Sequence, residues 1–90
     1  MSDPFDRMLN EVVVLDTASP ILYIGKLVEV TDQAYVLTEA DMHDCREGHA
    51  NKEAYLVEAR RSSVAVNRAR VVVLRWAIIS VSRLADVVAD

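Results

Sequence analysis

Two apolar runs, Val71 to Trp76 and Ile78 to Leu84, follow one another with only Ala77 between them. Both are rich in β-branched residues, which pack well on a pleated surface, so both read as strands. The link is too short for a relaxed hairpin loop. The chain must turn a sharp corner between two apolar strands, and a fold that permits such a corner is a strongly bent sheet.

Three more strands are predicted upstream. Val12 to Asp16 is a β-branched run closed by the turn Thr17-Ala18-Ser19-Pro20. Ile21 to Val30 follows with Gly25 in its middle, and a glycine inside a strand marks a bulge, a bend or a close backbone approach. Thr31-Asp32-Gln33 then leads tightly into a third strand, Ala34 to Thr38, antiparallel to the second. Two helices are predicted beside these strands. Asp3 caps the first and Pro4 opens it, with Phe5, Met8 and Leu9 on one face. The second spans Asn51 to Ser62, where Lys, Glu, Ala, Leu and Arg are good helix formers. Five strands in ninety residues close best as a small barrel, since closure removes sheet edges. The expected fold is therefore mostly β: a small, five-stranded, strongly bent barrel with an N-terminal helix. An extra helix sits in an insertion between strands three and four, at about 39–70, all within a single domain over 1–90.

A domain of this length buries roughly 60% of the surface its unfolded chain exposes, so self-association is expected on size alone. Cys45 is the single cysteine, which excludes an internal disulfide and fits a reducing compartment. The N-terminal ten residues have no apolar targeting segment, and Arg75 interrupts the longest apolar run well short of a bilayer span. The expected location is cytoplasmic, away from membranes. Net charge is −4, unevenly spread. Residues 1–50 hold three basic and ten acidic groups, whereas 51–83 hold seven basic and two acidic ones. An acidic whole argues against strong non-specific nucleic-acid binding, while the basic block leaves a local patch. The same split allows head-to-tail attraction between copies.

The order of elements resembles the Sm-like family. Gly25, Leu27, Thr31-Asp32 and Leu37 follow the spacing of its first motif, with a turn about one residue shorter. Val73-Leu74-Arg75-Trp76-Ala77-Ile78-Ile79-Ser80-Val81 follows the pattern of its second. The nearest likeness is to small bacterial Sm-like proteins of unassigned function. The resemblance implies a non-enzymatic homo-oligomeric ring of about five to seven copies, strand four of one subunit pairing with strand five of the next. In RNA-binding members, an aspartate–aromatic–asparagine set and an Arg-Gly pair form a nucleotide pocket. Here Asp32 and Tyr35 stand in the first region, with no asparagine at the matching place. Arg75 is kept, and Trp76 replaces the glycine. An indole there either blocks the pocket or stacks on a base, which is worth roughly 1–3 kcal/mol.

The RNA-binding hypothesis therefore names Asp32, Tyr35, Arg75 and Trp76, with Arg68 and Arg70 as phosphate contacts, arginine forks being suited to phosphate oxygens. The rival is a structural or adaptor ring that binds a protein partner through its helical insertion and has lost RNA. His43, Cys45 and His49 are the weak metal candidates; their spacing matches no established zinc pattern. Cys45 with either histidine is the sole nominal nucleophile–base pair, and no phosphate or dinucleotide loop is present, so neither an enzyme nor a cofactor is expected.

Overall fold

The computed structural model describes residues 3–48 and 51–89. Five antiparallel strands form one bent sheet: β1 (Val12–Thr17), β2 (Ile21–Val30), β3 (Ala34–Asp44), β4 (Arg68–Leu74) and β5 (Ile78–Arg83). Their order across the sheet is β4-β3-β2-β1-β5. One helix, α1 (Lys52–Arg61), lies between β3 and β4.

Closed-barrel geometry is not what the single chain adopts. β4 pairs with β3 and β5 pairs with β1, so the two strands joined by the sharp corner end at opposite edges. The corner is a short 3-10 turn, Arg75–Ala77, that carries the chain from one edge to the other. The sheet is bent but unclosed. The N-terminal helix is also reduced, to a single 3-10 turn at Pro4–Arg7. The predicted cap is in place, Asp3 accepting from the Phe5 amide at 2.9 Å. Among the described residues of this segment, Phe5 and Met8 pack partly buried against the core, too little burial to hold further turns.

The insertion is shorter than the sequence suggests, because β3 and β4 extend into it. Glu39 makes the extension possible by adopting φ 49°, in the left-handed region. Between the pairs Ile24↔Asp41 and Lys26↔Thr38, Gly25 alone faces both Glu39 and Ala40. This is a β-bulge, which bends the strand and raises its twist. A Cβ at Gly25 would lie 2.9 Å from the Ala40 Cβ and 3.1 Å from its Cα. Gly25 thus permits a close backbone approach at the bend. A second irregularity falls between Leu27 and Glu29.

The central strands of the sheet are buried on both faces. Val13, Leu15, Leu27, Tyr35, Leu37, Ala40 and Val73 pack on one side, with Phe5 and Met8 against them. Val14, Leu22, Ile24, Ala59 and Leu84 pack on the other, joined by Tyr55, Leu56 and Val64. Two-sided burial explains why β1 and β2 read as near-continuous apolar runs instead of alternating ones. Asn51 caps α1 by accepting from the Ala54 amide at 2.8 Å. Lys52 Nζ fixes the start of the helix to the β1–β2 turn, donating to Asp16 Oδ1 at 2.6 Å, the Thr17 carbonyl at 2.8 Å and the Ser19 carbonyl at 2.7 Å. Among the described residues, no helix is long and apolar enough to cross a membrane.

Gly25→Ala is expected to lower unfolding free energy by about 1–3 kcal/mol, the range for overpacking. Urea denaturation measures it; an unchanged midpoint would mean the bend does not depend on this contact.

Candidate nucleic-acid interface

Arg75 and Tyr35 come together at the end of the sheet where β2 turns into β3. The Arg75 guanidinium lies 5.3 Å from the Tyr35 ring centroid and 5.5 Å from that of Phe5. It donates from Nη1 to the Thr31 carbonyl at 2.8 Å, and the Arg75 amide donates to the Gln33 carbonyl at 2.9 Å. The turn before β5 is thereby bonded to the turn after β2. Asp32 is exposed in that second turn. Thr31 shapes the turn, its hydroxyl accepting from the Gln33 and Ala34 amides at 3.1 and 3.0 Å.

Tyr35 is only 5% exposed. Its ring meets Phe5 edge-on, at 5.6 Å and 61°. Trp76 is next to Arg75 in the chain but leans to the other side of the corner, 75% exposed. It lines an open apolar groove of about 360 Å³ with Thr17, Ile21, Tyr23 and Ile79. Arg68 and Arg70 are exposed on β4, opposite Ala40 and Thr38. Four residues of largely extended chain lie between Arg70 and Arg75, five steps or roughly 16 Å at strand rise. The six residues named from the sequence thus divide into a compact pair, a neighbouring turn carboxylate, an exposed indole and two outlying arginines.

The remaining arginines of the basic block are engaged within the chain. Arg60 Nε donates to the Ala85 carbonyl at 3.1 Å, and Arg61 donates to the Ala89 carbonyl. They tie the C-terminal segment to α1. Arg83 forms a two-pronged ion pair with Asp86, both bonds at 3.0 Å.

Sequence reasoning missed a polar cluster under α1. Asp41, 2% exposed, accepts from the Tyr55 hydroxyl and from Asn67 Nδ2, the latter at 3.0 Å. Asn67 also bridges the Met42 backbone, accepting from its amide at 3.0 Å and donating to its carbonyl at 3.1 Å. Burial, and then the Asp41 carboxylate, push the Tyr55 hydroxyl well above the usual phenolic range. His43 stacks on the Tyr55 ring at 3.7 Å and 9°. Cys45 packs at the edge of the same apolar cluster, where burial pushes its thiol pKa up. Among the described residues, no three His, Cys, Asp or Glu side chains converge on a metal position. His49, the remaining metal candidate, lies outside the described residues.

A five-stranded, strongly bent antiparallel sheet whose last two strands occupy opposite edges is the Sm-like fold, and this chain has it. No family model matches the sequence, and no curated protein sequence does. Among solved structures, the chain is similar to a Pyrococcus abyssii Sm protein in complex with a uridine heptamer. The two share 16% identity over 91% of this chain and 99% of that one, with a TM-score of 0.61.

Two outcomes follow, one from the cluster beside α1 and one from the Asp44–Arg46 ion pair at the end of β3. Tyr55→Phe removes one of the two side-chain donors to buried Asp41 and should cost about 1–3 kcal/mol in urea denaturation; no loss would mean that another donor serves the carboxylate. The Arg46 guanidinium holds the Asp44 carboxyl down to about 2, from an ordinary 3.8. Because the folded value is depressed, this pair's contribution is present above the ordinary value and disappears as pH falls towards about 2. NMR titration should show Asp44 returning towards its ordinary value in Arg46→Ala.

Proposed function

We propose that the chain is a non-enzymatic Sm-like protein that assembles with itself into a ring and binds single-stranded RNA. The observation that carries this reading is the pair of unpaired edges, β4 and β5, joined by the turn that holds Arg75 and Trp76. Unpaired strand edges are templates for another strand, and a head-to-tail contact that closes makes a ring. Val72, Leu74 and Ile79 lie exposed on these edges, where a neighbouring copy would cover them. Joining edge to edge would set the Arg75–Trp76 turns of successive copies side by side.

Support for RNA comes from the chemistry of those turns and from the uridine-bound structure of similar fold. Arg75 supplies a guanidinium beside the Asp32 turn. Trp76 offers an exposed ring for a base, and Arg68 and Arg70 offer charge for phosphates further along β4.

One observation favours the second reading, an adaptor ring that takes a protein partner. Tyr35 is buried and Arg75 is bonded to Thr31, so neither is free in this arrangement.

Fluorescence anisotropy with labelled oligouridine across a salt series separates the two. RNA binding predicts an affinity falling with salt at a log–log slope of about −0.7 per phosphate contact, made shallower by Arg68→Ala. Arg75→Ala should weaken binding about tenfold or more, as loss of a charged hydrogen-bonding contact does. No binding at low salt, or weak binding indifferent to both substitutions, moves the function to the protein-partner ring.

A further inference from the structure

We infer that residues 3–9 form a displaceable cover over the Tyr35–Arg75 pair, by which the chain holds part of its own RNA seat closed. This rests on the RNA-binding reading above.

The seat has the right chemistry. An aromatic ring with a guanidinium beside it stacks a base and attracts a phosphate. In this structure Phe5 lies against that pair, its ring edge-on to Tyr35 at 5.6 Å and under the Arg75 guanidinium. Pro4, Phe5 and Met8 form one wall of an open groove of about 280 Å³ that runs past Tyr35 to Ile78–Val81, between the start of β3 and β5.

The cover is held lightly at its tip and firmly at its root. The tip is one four-residue 3-10 turn with no buried residue, stabilised by the exposed Asp3 cap. Such turns have poorer hydrogen-bond geometry than α-helix. The root is tied to β2, the Asn10 amide donating to the Leu27 carbonyl at 2.6 Å and the Leu27 amide to the Glu11 carbonyl at 2.9 Å. Asn10 itself has φ 67°, in the left-handed region that asparagine tolerates better than most residues. A pivot at Asn10 gives up the bond that spans it, from the Glu11 amide to the Met8 carbonyl at 3.0 Å. Lifting it exposes the Tyr35 ring and frees the space over Arg75 without breaking a strand pair. A base that binds only the open form has its affinity reduced by the open fraction, and weakening the cover removes that reduction.

The test is oligouridine anisotropy on the full chain, with Phe5→Ala and Asp3→Ala. If about a tenth of molecules are open, Phe5→Ala tightens binding about tenfold, and Asp3→Ala tightens it by less. Nitration of Tyr35 by tetranitromethane, read by peptide mass spectrometry without RNA, should be faster in both variants. Unchanged or weaker RNA affinity in Phe5→Ala overturns the inhibitory role, whatever the nitration rate. Should no variant bind RNA, the RNA reading itself fails. Nitration then decides whether the segment is a cover at all, and equal rates in the three proteins would overturn it.

Discussion

The close approach of β2 and β3 at Gly25 governs the rest of the molecule. Ala40 can sit against β2 only because Gly25 lacks a side chain, and Glu39 takes up the extra residue by adopting a positive φ. The cost of a non-glycine residue in that region is of order 1–3 kcal/mol, and it persists where surrounding structure demands it. Here the demand is the bend. A flat sheet could not bring the end of β4 towards the start of β5 through a three-residue turn.

The bulge also decides which side chains meet α1. Side chains alternate across a strand, so one extra residue reverses the faces beyond it. Before the bulge, Tyr35 and Leu37 point into the first core; beyond it, Ala40 joins that core, while Asp41 and His43 face α1. Asp41 would otherwise be a carboxylate in an apolar cluster. Instead it accepts from Tyr55 and Asn67, which holds the helix and the return segment to β3. Leaving a buried polar group without its partners is costly, so this cluster specifies where the insertion lies. Lys52 performs the same role at the start of the helix, against the β1–β2 turn.

Much of this was legible in the residues. Gly25 announced a bend and the crowding of Val71–Val81 announced the corner; Asp3-Pro4 announced a capped helix, of which the cap and one 3-10 turn form. Other parts were not. β3 continues through Asp41, Met42, His43 and Asp44, a polar stretch that reads as loop because its periodicity is interrupted at Glu39. The partners of Asp41 lie fourteen and twenty-six residues away, and no local pattern encodes them. The closed barrel was expected because closure satisfies edges, but β4 and β5 leave their edges open within one chain. At the candidate site, Arg75 and Tyr35 do come together as their motif positions imply. Phe5, their third neighbour, read as one residue on the apolar face of a short helix, and its contacts with Tyr35 and Arg75 depend on long-range placement.

The proposed ring requires that the two open edges, β4 and β5, pair with one another across copies. An exposed edge is a template for another strand, and the sheet leaves two, β4 and β5, at its ends. Native mass spectrometry of the full chain, beside a Val72→Glu/Ile79→Glu variant that places charge on both edges, tests it most directly. A single closed species of about five to seven copies is expected for the natural sequence and monomer for the variant. A natural-sequence protein that stays monomeric at micromolar concentration would contradict it.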